Sequence, residues 1–153
     1  MLKRETQGRV TTPRRWLRML VPAVDRPYST RCLELAYRLA QDTGATVQLA
    51  YVLEVPRTLS LEALLPEAEV MASEALQVAQ QVAIPFKVKT EPFVHRTRSA
   101  HDGILRLIAQ EKIDLLILGG RPDGTRGLPS DLARELFQSA VCEVVADYIA
   151  GEN

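Results

Sequence analysis

The feature that most constrains the fold is the run Asp114-Leu115-Leu116-Ile117-Leu118, apolar from its second position and stopped by Gly119-Gly120. A strand with no polar residue to turn toward water must be covered on both faces, as strands of parallel sheets are. The run therefore belongs near a sheet centre. Other β-rich stretches precede and follow it. Leu17-Arg18-Met19-Leu20-Val21 ends at Pro22, which cannot donate to a ladder, and Thr46 to Leu53 reads as a second, moderately buried strand. Phe86, Val88 and Thr90 alternate with Lys87, Lys89 and Glu91, and with Pro92 nearby they suit a charged sheet edge. Val141 to Ala146 is the last apolar strand, expected to bury Cys142.

Helical periodicity fills the gaps. After the turn Asp25-Arg26-Pro27-Tyr28, residues Cys32, Leu35, Ala36, Leu39 and Ala40 form one apolar stripe, with Ser29 or Thr30 to cap it and Gly44 to end it. The longest helix runs from Pro66 and Glu67 through Ala83. Ser99-Ala100-His101-Asp102 has the spacing of a capping box before Ile104, Leu107 and Ile108. A short helix opens at Ser130-Asp131. Strict alternation of strand and helix calls for right-handed crossovers, hence an α/β fold: a single doubly wound, Rossmann-like domain with a five-stranded, mainly parallel sheet flanked by four helices.

A chain of 153 residues with 46% hydrophobic and 25% charged residues supports one domain and excludes a disordered, collagen-like or disulfide-scaffold protein. The expected division is a basic arm over residues 1–15, the α/β domain over 16–148 and a tail over 149–153. Residues 1–18 carry six basic groups against Glu5, and the rest of the chain balances that excess to zero. The arm reads as a solvated tail, since it has no aromatic interleaving before Trp16 to suit nucleic acid and no amphipathic period to suit a membrane surface. No stretch reaches the roughly 20 apolar residues of a membrane span and no apolar signal core opens the chain, so a cytoplasmic protein is expected.

Ligands of doubly wound sheets bind beyond the carboxyl ends of the strands, where strand order reverses. That rule selects Asp25, just after the first strand, and the loop Gly119–Asp131 after the fourth. Asp25 is equally a turn acid, and the glycines of the loop are equally those of tight turns. Chemistry has little raw material here. Cys32 and Cys142 read as small core residues, His101 beside Asp102 as a surface histidine, and His95 as uninformative. There is no Gly-x-Ser-x-Gly elbow, no lysine phosphate loop and no metal-ligand spacing, so no enzyme activity is expected.

Leu20-Val21-Pro22-Ala23-Val24-Asp25, Ala50-Tyr51-Val52-Leu53-Glu54, Asp114 to Gly119 and Cys142-Glu143-Val144-Val145 together resemble a universal stress protein domain over most of the chain. The resemblance implies a homodimer joined through the last strand, Val141–Ala146, and a role in stress responses or regulation. Some members hold ATP or AMP and others do not, so ATP or AMP is the cofactor the resemblance allows without requiring one. It also assigns roles: Asp25 contacts the nucleotide, Val52 contacts adenine through its backbone, and a Gly-x-x-Gly loop, nine residues, then Gly-Ser or Gly-Thr cradles phosphate. Here Leu118, Gly119, Gly120, Arg121, Gly124, Ser130 and Asp131 fall in that stretch, yet Pro122 stands at the second glycine and Ser130-Asp131 replaces Gly-Ser. The loop is about two residues shorter than the family spacing. Proline removes an N–H donor, and the Asp131 carboxylate is expected to cap the helix and repel phosphate. Arg121 and Arg126 favour phosphate or are solvated loop charges.

Those departures point to a regulatory domain with a degenerate nucleotide site that acts through protein contacts. The alternative is a sensor of AMP, ATP or a cyclic dinucleotide, and a third reading is slow ATP hydrolysis. Arg96 to Leu105 is similar to the branch of the family associated with cation and amino-acid transporters, which would set the basic arm beside a membrane and make a transporter a partner. No nucleic acid is expected.

Overall fold

The computed structural model describes residues 16–148; the basic arm over 1–15 and the tail over 149–153 lie outside the described residues. The elements are β1 (Arg18–Val24), α1 (Thr30–Thr43), β2 (Thr46–Glu54), α2 (Pro66–Ala83), β3 (Lys89–Thr97), α3 (Ala100–Gln110), β4 (Leu115–Gly119), α4 (Ser130–Ser139) and β5 (Glu143–Asp147). The sheet has five strands in the order β3-β2-β1-β4-β5, and every neighbouring pair is parallel. The order reverses between β1 and β4. α1 and α2 cover one face through Met19, Val21, Leu49 and Tyr51, while α3 and α4 cover the other through Leu20, Val52, Leu116 and Leu118. Alternate residues of each strand thus feed opposite cores, which is why the central strands read as unbroken apolar runs.

Several expectations change in detail. β1 does not stop at Pro22 but continues to Val24, paired with β2 along its whole length. The ladder explains the tolerance. Asp25 N–H donates to Val52 and Val24 N–H to Gly127, so even-numbered nitrogens of β1 turn toward the β4 side, where pairing extends only to Leu20 and Leu116. Pro22 lacks a donor only where no ladder asks for one. β2 is buried from Val47 to Leu53, deeper than expected, because it lies between β1 and β3. Phe86 belongs to a 3-10 turn over Ile84–Phe86 rather than to a strand, and Lys87 at φ 57° redirects the chain before β3 begins at Lys89. β3 is an edge, as its charges suggest. The last strand opens at Glu143, so Val141 is 92% exposed ahead of it and Cys142 is only half-buried.

Caps set the helix boundaries. Ser29 Oγ accepts from Cys32 N–H at 3.3 Å and Gly44 closes α1 at φ 74°. Ser99 Oγ accepts from Asp102 N–H at 3.2 Å, but the reciprocal half of the capping box is absent: the Asp102 carboxylate lies 3.2 Å from His101 Nδ1, and Glu54 Oε2 accepts the Ala100 N–H at 2.6 Å. At the opposite end of the sheet, buried Gln48 bridges Glu91 and Glu111, and Arg18 pairs with both carboxylates. That network ties the N-terminal ends of β1, β2 and β3 together, leaving the C-terminal ends to form the site.

Candidate functional site

The corner after β1 is built around Asp25. Its φ of 54° is left-handed, a conformation costing a non-glycine residue about 1–2 kcal/mol. Three contacts hold it there. Its N–H donates to Val52 O at 3.0 Å, its Oδ2 accepts the Glu54 N–H at 3.4 Å, and the adjacent Arg26 ties Val24 O to Gly124 O at 2.6 Å each. Lost hydration raises the carboxyl above its ordinary range, opposed by the Glu54 amide, reinforced by the Glu54 charge and opposed again by Arg26. Val52 is fully buried, and its carbonyl is already engaged by Asp25.

The loop after β4 folds on itself. Gly120 and Gly127 bridge antiparallel, Gly127 N–H donates to Pro27 O at 2.7 Å, and Leu128 N–H donates to Gly119 O at 3.0 Å. At its tip Gly124 N–H donates to Arg121 O, while Asp123 Oδ1 accepts from both the amide and the hydroxyl of Thr125. Hydrogen bonds from Thr125 hold the Asp123 carboxyl below its usual range. Gly127 is required: its φ is 68° and a Cβ would collide with the Gly119 carbonyl. The amides of Gly124, Thr125, Gly127 and Leu128 are thus consumed within the fold, and Pro122 has none to offer.

The structure corrects the expected role of Asp131. The N-cap of α4 is Pro129 with no side-chain hydrogen bond, and Asp131 is exposed in the first turn, so its carboxylate does not occupy the helix-start amides. It still places negative charge at the dipole's positive end. Ser130 lines a separate, apolar hollow with Ala133, Phe137 and Tyr148.

Between the first turn of α1 and the loop after β4 lies a cleft of about 260 Å³. Ser29, Thr30 and Arg31 form one side, Gly120, Arg121 and Arg126 the other, and Asp147 at the end of β5 closes it. Arg31 Nε pairs with Asp147 Oδ1 at 3.2 Å, Arg121 Nε lies 3.6 Å from Asp123 Oδ2, and Arg126 Nη1 donates to Tyr28 O at 3.1 Å. Asp147 Oδ2 is buried without a partner. Beneath the cleft, burial pushes the Cys32 thiol up to about 12, with the Asp147 charge adding to the effect, as befits a core residue.

The expected site residues are divided. Gly120 and Arg121 line this cleft, Asp25 and Val52 meet at the β1–β2 corner, Leu118 is buried beneath, Gly124 binds Arg26, and Ser130 and Asp131 open α4 on the other face. Sequence reasoning missed Arg31, Thr30 and Asp147; a basic residue two places after a helix cap was the available signal. It also missed Arg96 and Arg98. Arg98 donates to the carbonyls of Val55, Pro56 and Leu59, and Arg96 to those of Leu61 and Ala63 and to Glu69, so both fasten the loop between β2 and α2.

His101 reaches Asp102 and Ser139, each at 3.2 Å, and Ser139 Oγ donates to Glu135 O in the last turns of α4. His95 is lowered by burial and by Arg106. Among the described residues, no group of three His, Cys, Asp or Glu is placed to hold a metal ion, and no helix is long and apolar enough to cross a membrane.

Solved structures share this architecture. A universal stress protein from Archaeoglobus fulgidus is 19% identical with TM-score 0.67, covering 86% of this chain and 93% of its own. Its complex with dAMP aligns at 17% identity and TM-score 0.67, covering 86% and 97%. A family protein from Arabidopsis thaliana with AMP bound is 14% identical with TM-score 0.64, covering 88% and 93%. No curated protein matches the sequence. The Universal stress protein family pattern matches residues 16–146, and with nearly the whole domain so matched, on the fold and switch-point corner described above, the chain belongs to the universal stress protein family.

Proposed function

We propose that this chain is a non-enzymatic regulatory domain of the universal stress protein type, acting through protein contacts as a homodimer, with a nucleotide site that has lost its triphosphate cradle. One observation carries this reading: the loop after β4 spends the amides of Gly124, Thr125, Gly127 and Leu128 within the fold, and Pro122 removes another donor. A phosphate tail held by those amides would have to displace the acceptors that already hold them. Dimerisation through the last strand rests on the family resemblance and is supported by the edge position of β5. The reading does not lean on the transporter-like stretch, whose Arg96 and Arg98 are spent on a loop. A transporter is one client class, and a cytoplasmic location is part of the proposal.

Calorimetric titration with ATP tests it, beside a variant carrying Pro122→Gly, Ser130→Gly and Asp131→Ser. Wild type is expected to bind ATP no better than inorganic phosphate, while the variant gains affinity. Micromolar binding of ATP by wild type overturns the reading. For the dimer, light scattering is expected to give twice the 17.0 kDa mass, and a monomer at micromolar concentration removes that part.

A second reading, a sensor of AMP or a cyclic dinucleotide, is favoured by the Asp25 corner and by the relatives described with dAMP and AMP. Saturable binding of AMP or cyclic di-AMP that weakens on Asp25→Ala supports it, and silence toward both ligands removes it.

A further inference from the structure

We propose that the loop between β2 and α2, with the first turns of α2, is a docking surface for a basic amphipathic helix of a partner protein; the inference rests on the reading that this chain acts through protein contacts, and it names the surface that makes them. Surface loops are ordinarily the mobile part of a fold, and this one is clamped. Arg98 donates to the carbonyls of Val55, Pro56 and Leu59, and Arg96 to those of Leu61 and Ala63 and to Glu69 Oε2, so two guanidinium groups at the end of β3 fix both halves of the loop. Its ends are closed as well, by Val55 N–H donating to Thr97 O at 2.9 Å and Leu65 N–H to Glu69 Oε2 at 2.9 Å. What the clamp presents is apolar. Leu64 is 84% exposed, Leu59, Val70 and Met71 are exposed too, and Leu64, Leu65, Pro66 and Ala68 line an open groove of about 500 Å³. Holding such side chains in place before a partner arrives lowers the ordering cost of binding.

Charge and backbone chemistry select the occupant. The loop carbonyls that a strand-adding peptide would need are already engaged by Arg96 and Arg98, so the contact has to be made by side chains, as a helix laid in a groove makes it. The rim is acidic. Residues 55–80 hold Glu62, Glu67, Glu69 and Glu74 against the single cation Arg57, and of these acids only Glu69 is paired with an arginine. Glu67 lines the groove itself, and Glu62, Glu67 and Glu74 are all exposed. That charge favours lysine or arginine beside the anchoring apolar residues and repels the anionic headgroups of a membrane surface. Position keeps the surface open. The loop follows β2 and is pinned by β3 at one side of the sheet, whereas β5, the strand proposed to join two copies, is the opposite edge. None of its residues belongs to the loop after β4 or to the Asp25 corner.

Fluorescence anisotropy with the full chain tests this, using a labelled peptide of leucine and lysine in helical period, the same peptide with glutamate for lysine, and, by co-sedimentation, vesicles of phosphatidylcholine and phosphatidylserine. Wild type is expected to bind the lysine peptide saturably at micromolar concentration, and neither the glutamate peptide nor the vesicles. Leu64→Asp should weaken the lysine peptide by about tenfold or more, the loss of one anchoring side chain, with the thermal midpoint unmoved because Leu64 is 84% exposed. Glu62→Lys with Glu67→Lys should weaken it severalfold, and more at low salt than at high. Phe137→Asp, at another exposed apolar residue on α4, should leave it unchanged, which separates docking from general adhesion. No saturable binding of the lysine peptide, equal binding of the two peptides, or binding undiminished in Leu64→Asp overturns the proposal. So does vesicle binding that Leu64→Asp abolishes, which would make the surface a membrane contact, and so does a scattering mass halved by Leu64→Asp, which would make it a contact between copies. Micromolar ATP binding would overturn the degenerate-site reading and leave the peptide result standing, whereas a silent peptide beside silent ATP overturns this surface alone.

Discussion

Two helices begin at the carboxyl edge of this sheet beside the strand reversal, and they begin differently. α1 opens with Ser29 as cap and Arg31 in its first turn, facing Arg121 and Arg126 across a cleft. α4 opens with Pro129 at the cap, no side-chain hydrogen bond, and Asp131 in its first turn. Both have the dipole and the unpaired amides that attract anions. What separates them is the charge and loop around them. The loop leading into α4 has closed on its own donors, whereas the start of α1 keeps its first amides and gains arginines from that same loop. The surroundings of a helix start thus differ even where the helix ends themselves are alike.

The loop closure is the point most easily broken. Gly127→Ala is expected to cost about 3 kcal/mol or more, combining a left-handed φ with a backbone collision. Denaturant unfolding reads this directly, and a loss under 1 kcal/mol would mean that the hairpin is not rigid. The caps come next. Ser29→Ala should cost about 1 kcal/mol, since it frees the buried Cys32 amide, and thermal unfolding should show it. Asp131→Ala should cost about 0.5 kcal/mol or less and lose that effect in salt, because only the dipole is involved. Equal losses at the two positions would erase the distinction between the helix starts.

The smallest effect concerns Asp25. Burial raises its folded pKa, so the ionised form is disfavoured in the folded state. The sign follows: the penalty is absent below the unfolded value of 3.8 and fully present once pH exceeds the raised folded value. Asp25→Asn is therefore expected to raise the unfolding midpoint at neutral pH, helped by the tolerance of Asn for positive φ. The gain should fade as pH falls through that window, and a gain that is constant with pH would assign it to the backbone alone.

The fold was legible because its determinants are local and periodic. Leu115 to Leu118 could only be a doubly covered strand, and Ser29, Gly44 and Ser99 mark helix ends by side-chain chemistry. Strand ends were less legible, since the tolerance of Pro22 depends on which neighbour its nitrogen faces, a property of the ladder rather than of the residue. The site was legible in part. Asp25 and the Gly119–Asp131 loop follow from topology, but the shape of the loop depends on the Gly127 amide donating to Pro27 O and on Arg26 donating to Gly124 O, partners far away in sequence. The same holds for Arg31 and Asp147, which meet only because β5 ends beside α1.

The most direct measurement is amide chemical-shift mapping of the isotope-labelled full chain during titration with ATP. The account predicts no saturable shifts over Gly119 to Leu132 at micromolar ATP, because the loop amides stay in their own hydrogen bonds. Saturable shifts across that stretch would contradict it, restoring a triphosphate cradle to the loop after β4.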